Sequence, residues 1–184
     1  MLHNIERDGF QEYQVVLTTH IGTHIDSPGH MIRGGRILDE YSISEFTGWA
    51  MVVDCRGSEN TIPISSVDAC INQTDKIEYL LFCTGWSKYW GTRKYTDTYP
   101  VLSPELCEWI VRQGFKGIGI DTISPDHLDS TSFDNHLTLL KNDLLIIENL
   151  SNLEQLINQS FQLICLHIPL AGVDGAPARV VALL

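Results

Sequence analysis

An eleven-residue stretch near the N-terminus, HIGTHIDSPGH at residues 20–30, is dense in side chains that bind metal ions. It carries three imidazoles and one carboxylate, those of His20, His24, His30 and Asp26. A helix is disfavoured between the first two histidines because β-branched residues and a glycine separate them. In an extended chain alternate residues share a face, so His20, His24 and Asp26 point the same way. The Ser-Pro-Gly turn that follows can bring His30 back toward that face.

Two imidazoles and a carboxylate are suitable ligands for zinc, manganese or ferrous iron, and three protein ligands leave one position open for water. The alternative is a polar turn whose histidines are satisfied by hydrogen bonds, which would be the better interpretation of a single histidine. Three histidines and an aspartate in this alternation favour a metal site. A purely structural metal site is disfavoured because such sites use closed, cysteine-rich shells.

Short apolar runs and two helical patterns are expected to position this stretch. Strands are predicted at residues 14–19, 49–53, 79–84, 117–120, 144–147, 163–168 and 179–184. A helix is predicted over residues 103–113, because Ser103 is a good N-cap, Pro104 suits the first helical position and Gly114 can end the helix. A second, short helix is predicted over residues 151–159. The alternation predicts an α/β domain, and the pairing of the early strands is left open between mixed and antiparallel.

Length and composition set the outer bounds. The 184 residues suffice for one domain, and 12 Lys and Arg against 23 Asp and Glu give a formal net charge of −11. Without a basic run, neither a nucleic acid nor an anionic membrane surface is an expected partner. Neither a signal peptide nor a membrane-spanning segment is predicted, so we expect a cytoplasmic protein. The cysteines are odd in number and scattered, which indicates reduced, mostly buried thiols: Cys55, Cys70, Cys83, Cys107 and Cys165.

The stretch at residues 20–30 matches the pattern H-x-G-T-H-x-D-x-P-x-H. It resembles the signature of the metal-dependent cyclase-family hydrolases, which include bacterial kynurenine formamidase and isatin hydrolase. Further segments resemble that family in the same order along nearly the whole chain: Gly34-Gly35, Thr84-Gly85-Trp86 with Trp90, residues 119–126, His136, residues 148–153 and residues 174–179.

The resemblance implies a set of metal ligands. His20, His24 and Asp26 would hold a first divalent ion, and Asp26 would bridge to a second ion bound by His136 and Glu148. Taken without the resemblance, His136 could be a surface or loop histidine. Glu148 could equally be a carboxylate at a helix N-terminus or in a salt bridge, although an acid that ends a buried strand needs a partner.

The resemblance also implies how the substrate is handled. His30 would be the catalytic residue that accepts and donates a proton. Trp86 and Trp90 could line a pocket for an aromatic substrate, although tryptophans are more often packing residues.

The fold implied by the resemblance is the swivelling β/β/α type, a curved mixed sheet with flanking helices. We expect residues 1–184 to form one such domain without the further N-terminal segment of the family. The implied activity is cleavage of an amide-like C–N bond by metal-activated water, as in the arylformamidases of tryptophan catabolism. The alternatives are a lactam hydrolase similar to isatin hydrolase and a non-catalytic metal-binding homologue. The implied cofactor is one or two divalent ions, zinc first and manganese second, and the implied assembly is a homodimer or a larger homo-oligomer.

Overall fold

A computed structural model describes residues 1–68 and 77–184, so Cys70 lies outside the described residues. In chain order the elements are α1 (Ile5–Asp8), β1 (His24–Asp26), β2 (Thr47–Asp54), β3 (Thr61–Ile62), β4 (Tyr79–Cys83), β5 (Val101–Leu102), α2 (Pro104–Gln113), β6 (Gly117–Ile120), α3 (Asp134–Leu140), β7 (Leu145–Glu148), β8 (Ser160–His167) and β9 (Gly175–Leu183). Short 3₁₀ turns connect many of them.

Seven of these strands close into a barrel in the order β1-β7-β6-β4-β2-β8-β9, with β9 pairing back to β1. The segment from β2 through β4 and β6 to β7 is parallel, whereas all pairs that involve β1, β8 or β9 are antiparallel. β3 and β5 form a separate two-stranded parallel sheet. The expected mixed α/β architecture with a curved sheet is therefore confirmed, and the curvature is sufficient to close the sheet on itself.

Alternation along the strands divides the core into two layers. In β2, Ala50 and Val52 point into the barrel, while Met51 and Val53 point outward to a second cluster that includes residues of α2 and α3. In β6 the inward positions are glycines, because a Cβ on Gly119 would lie 2.5 Å from Leu150 and 2.6 Å from Leu81. The GIGI run is thus the sequence signature of a strand whose inner face has no room for side chains.

α2 has the ends that its sequence predicts. The Ser103 hydroxyl accepts a hydrogen bond from the Leu106 amide at 3.2 Å, and Gly114 ends the helix with φ +75°. Its inner face packs Leu106 and Ile110 against the outer surface of the barrel.

Two of the expected elements are wrong. Residues 14–19 form no strand, and Val15 and Val16 are 72% and 88% exposed, because none of the described strands pairs with this segment. The chain then bends at Gly22 (φ +62°) before β1 begins. The expected helix over residues 151–159 is only a 3₁₀ turn, Leu153–Leu156, because Asn152 and Asn158 are both left-handed.

The four described cysteines, Cys55, Cys83, Cys107 and Cys165, are buried free thiols, as expected. Across residues 1–68 and 77–184, no helix is both long and apolar enough to cross a membrane.

Candidate metal centre

β1 turns two potential ligands to the outer side of the barrel. Ile25 is fully buried in the barrel interior, so its neighbours His24 and Asp26 point to the opposite side. β1 is paired on both edges, by β7 and by β9, which fixes its position. The register places Glu148, the last residue of β7, directly opposite His24. Strand pairing alone therefore brings one imidazole and two carboxylates together.

His24 meets both carboxylates through one nitrogen. Its Nε2 lies 3.3 Å from an oxygen of Asp26 and 3.3 Å from an oxygen of Glu148. Its other nitrogen, Nδ1, is 2.8 Å from the carbonyl of Gly22, which can only accept, so Nδ1 carries a proton and donates. Nε2 is therefore the nitrogen that can hold a proton or a metal ion between itself and the two carboxylates.

His136 approaches Glu148 from α3. Its Nδ1–H donates to Asp126 Oδ2 at 2.7 Å, and its Nε2 lies 3.3 Å from Glu148 Oε1. Asp126 also accepts hydrogen bonds from the backbone amides of Asn135 and His136, so it fixes the start of α3 and the ring together. His136 is buried, so the alternative of a surface histidine is wrong.

His20 and His30 form the second half of the cluster, and their rings stack with centroids 3.9 Å apart. Both donate to one oxygen of Asp174, His20 through Nε2 at 3.0 Å and His30 through Nδ1 at 2.9 Å. His20 also contacts Asp26 through Nδ1 at 2.7 Å. Gly175 gives this ring its space, because a Cβ there would lie 2.4 Å from the His20 ring. Since both nitrogens of His20 face carboxylates, His20 can bind an ion only by giving up one of these contacts.

The electrostatics of the cluster favour positive charge. Burial lowers the pKa of His24, but the hydrogen bonds to Asp26 and Glu148 outweigh it and raise the pKa to about 10. Burial likewise lowers the pKa of His136, and Asp126 and Glu148 raise it to about 9. Burial raises the pKa of Asp26, whereas His20 and His24 hold it well below its usual range.

These residues fit a divalent cation. The Oδ2 atom of Asp26 and the Oε1 atom of Glu148 are buried without a hydrogen-bond partner. A buried carboxylate oxygen without a partner is costly, and imidazole nitrogens facing carboxylate oxygens at 3.3 Å need a proton or a metal ion between them. One ligand atom from each of His24, Asp26 and Glu148 can lie within 4.8 Å of the others. The same holds for His20, Asp26 and His30. Nitrogen and carboxylate donors in this number suit zinc or manganese.

A cavity of about 570 Å³ opens over the cluster. Its walls include the five expected ligands and His30, and its apolar side is formed by Ile21, Met31, Trp90, Ile123, Leu128 and Phe133. Trp90 thus lies at the cavity, whereas Trp86 is not among the lining residues and donates its indole N–H to the Tyr95 carbonyl at 3.0 Å.

Two residues of the site were missed as contributors from the sequence, although both lie in the segments that carry the resemblance. Asp126 orients His136, and Asp174 orients His20 and His30. A carboxylate close to a ligand histidine could have identified both residues. The sequence spacing of Asp126 and Asp174 from these histidines does not predict that they are close in the fold. Asp121, also an acid at the end of a strand, has a different part: it accepts hydrogen bonds from Thr84 and Gly85 and holds their turn.

Comparison with known proteins places these features in a family. Residues 2–127 match a family model described as "Putative cyclase". An uncharacterised protein of Methanocaldococcus jannaschii is 33% identical over 178 residues, which are 96% of this chain and 85% of that protein. A kynurenine formamidase of Bacillus cytotoxicus is 29% identical over 168 residues, 91% of this chain and 78% of that one. The crystal structure of an isatin hydrolase bound to the product analogue thioisatinate superposes with a TM-score of 0.82 at 22% sequence identity. The superposition covers 92% of this chain and 73% of the isatin hydrolase. The last likeness shows that the fold is shared.

Proposed function

The chain belongs to the cyclase family, and from that premise we propose that it is a metal-dependent hydrolase that cleaves an amide-like C–N bond, as an arylformamidase does. The observation that carries the proposal is the cluster itself: the three imidazoles and two carboxylates of the expected ligands meet at one cavity, and two of the carboxylate oxygens are buried without a hydrogen-bond partner. The kynurenine formamidase among the relatives supports the formamide as the group that is cleaved.

We assign the ion to His20, His24, Asp26, His136 and Glu148. A bound divalent ion supplies two things to such a site, a lowered pKa of water and polarisation of a carbonyl oxygen. Zinc is the first candidate and manganese the second, with one or two ions bound. The strand register and the Asp126 contact hold His24, Glu148 and His136 in place before any substrate arrives. Among the five ligands, His20 is the one that must exchange a carboxylate contact for the ion.

His30 is the residue that we assign to proton transfer. Its Nδ1–H donates to Asp174 at 2.9 Å, so the lone pair of the neutral ring is on Nε2, and the ring lines the cavity. A neutral imidazole can accept a proton at Nε2 from attacking water and return it to the leaving nitrogen. Asp174 keeps the tautomer and the ring orientation through this cycle.

The apolar side of the cavity supports a small-molecule substrate with an apolar or aromatic part. Trp90 would form part of the wall against the substrate, whereas Trp86 donates its indole N–H to the Tyr95 carbonyl within the same loop. An aromatic formamide, the substrate of kynurenine formamidases, is therefore the first substrate to try, and the cyclic amide isatin is the second.

The decisive experiment measures N-formylkynurenine turnover by metal-stripped protein that is titrated with zinc or manganese, with bound metal counted in the same samples. Turnover that rises in proportion to bound metal is the expected result. A fully loaded protein that hydrolyses neither N-formylkynurenine nor isatin would refute the proposed activity and favour a non-catalytic metal-binding homologue. The homodimer and the cytoplasmic location stay predictions, the first of which sedimentation equilibrium tests directly.

A further inference from the structure

Exposed apolar side chains cluster around the mouth of the cavity. Ile21, Trp90 and Leu128 are each more than half exposed, Phe133 is 37% exposed, and all four line the cavity. Large apolar side chains left open to solvent around one concave site indicate a surface that is covered by a ligand.

Phe133 stands out in this group because of its backbone. Its backbone has φ +50° and ψ +45°, the left-handed conformation that residues other than glycine rarely adopt. The other non-glycine residues with positive φ in the described ranges are all Asn or Asp, whose short polar side chains tolerate it: Asp143, Asn149, Asn152 and Asn158. Phe133 is the exception among them.

The surrounding structure holds this strained backbone in place. The Phe133 amide donates to the Ser130 hydroxyl at 3.1 Å, and its carbonyl accepts from the Leu137 amide at 2.9 Å in the first turn of α3. An asparagine or glycine would adopt the same conformation more easily, so the backbone does not require a phenylalanine. Phe133 is 37% exposed and belongs to neither buried core cluster. Backbone strain that is kept at a residue lining the cavity points to function.

The ring lies beside the proposed metal ligand His136. The two ring centroids are 6.4 Å apart and the planes are nearly perpendicular, at 82°. The remaining surface of Phe133 faces the cavity that it shares with Trp90 and Leu128. A flat ring bound there can make offset or edge contacts with Phe133, which a puckered ring of the same size cannot reproduce.

We propose that Phe133 is a specificity-determining residue that selects substrates with a planar aromatic ring next to the bond that is cleaved. The inference rests on the same cavity as the proposed function and adds to it the residue that chooses the ring. Trp90 and Leu128 supply apolar surface, whereas Phe133 supplies the contact that distinguishes flat from puckered rings.

The test uses binding, so that it does not depend on turnover. Benzoate and cyclohexanecarboxylate carry the same carboxylate on a flat and on a puckered ring, and their dissociation constants from the zinc-loaded protein are measured by calorimetry. We expect benzoate to bind about threefold to tenfold more tightly, the range typical of aromatic contacts. In Phe133→Asn this ratio falls to about one. In the matched control Leu128→Asn, which removes apolar surface but no aromatic ring, both ligands weaken and the ratio is kept.

Two further measurements separate this role from a structural one. Because Asn suits the left-handed backbone, Phe133→Asn should melt no earlier than the parent protein and bind zinc equally well. A retained ratio in Phe133→Asn, a ratio of one in the parent, or loss of zinc binding in the variant would overturn the inference. A parent protein that prefers benzoate yet hydrolyses no amide would instead refute the proposed function, and it would leave Phe133 as the residue that selects planar rings at this cavity.

Discussion

The imidazole of His24 and the carboxylate of Glu148 face each other across the antiparallel pair of β1 and β7, with 3.3 Å between Nε2 and Oε2. Both side chains are buried and both belong to regular strands, so their separation is set by the strand register. The centre of the site is thus set by two paired strands, whereas exposed side chains such as Trp90 and Leu128 form the mouth of the cavity.

Replacement of His24 by alanine should remove metal binding. The variant loses the one imidazole that contacts both Asp26 and Glu148. We expect zinc affinity to fall by more than the roughly 10–100-fold that loss of an outer partner costs. Zinc titration by calorimetry measures it, and His167→Ala is the control because His167 lies away from the cavity and bonds to its neighbour's carbonyl. Equal zinc affinity in the two variants would contradict the assignment.

Replacement of His30 by alanine should separate binding from turnover. The proton-transfer residue is lost while the ligands His24 and Glu148 keep their contacts. We expect bound zinc to be retained and amide turnover to fall by about 10²–10⁴-fold. Metal analysis and a steady-state assay on the same preparation check both parts, and unchanged turnover would rule out this role for His30.

Replacement of Asp126 by asparagine should weaken metal binding, because Asp126 orients the ligand His136 without binding the ion itself. Asp126 accepts the Nδ1 proton of His136 and two backbone amides at the start of α3. An amide in its place loses the charge that orients the ring, and zinc affinity should drop about 10–100-fold. Asp129→Asn, an exposed acid in the same loop, is the control and should bind zinc like the parent. Identical affinities for the two variants would show that Asp126 serves α3 alone.

Stability should decline in alkali because of the buried thiols. Burial raises the pKa of Cys165 to about 12, from an ordinary value of 9.0. Above pH 9 the unfolded chain ionises this thiol, whereas the folded protein keeps it neutral. The contribution of Cys165 to the free energy of unfolding is therefore fully present below about pH 9 and is lost as the pH rises toward 12. Between these two pKa values, one such thiol lowers the free energy of unfolding by about 1.4 kcal/mol per pH unit. Urea unfolding at pH 8 to 11 should show a shallower slope for Cys165→Ala than for the parent, and equal slopes would contradict this account.

The sequence was informative where local chemistry decides the outcome. Buried apolar runs identified β2, β4, β6 and β7, and capping residues identified α2. The outward pair His24 and Asp26 followed from alternation around Ile25. These features depend on residues close together in the chain.

The remainder depends on contacts between distant residues. His20 reaches the cluster because the chain bends at Gly22 and because Gly175, in the last strand, leaves room for the ring. α3 was not predicted because Phe133, a residue without a capping side chain, precedes it in a left-handed conformation. The pairing of His20 with Asp174 joins residues 154 positions apart, which no local pattern reveals.

The three residues of β1 also have a place in the order of folding. β1 joins β7 and β9, strands from the far end of the chain, whereas the neighbours β4 and β6 are much closer in sequence. Distant pairings carry the largest loop-closure cost and form slowly. We therefore expect the barrel to close last at β1, the strand that carries His24 and Asp26, so that the donor atoms come together only when the chain has completed its fold.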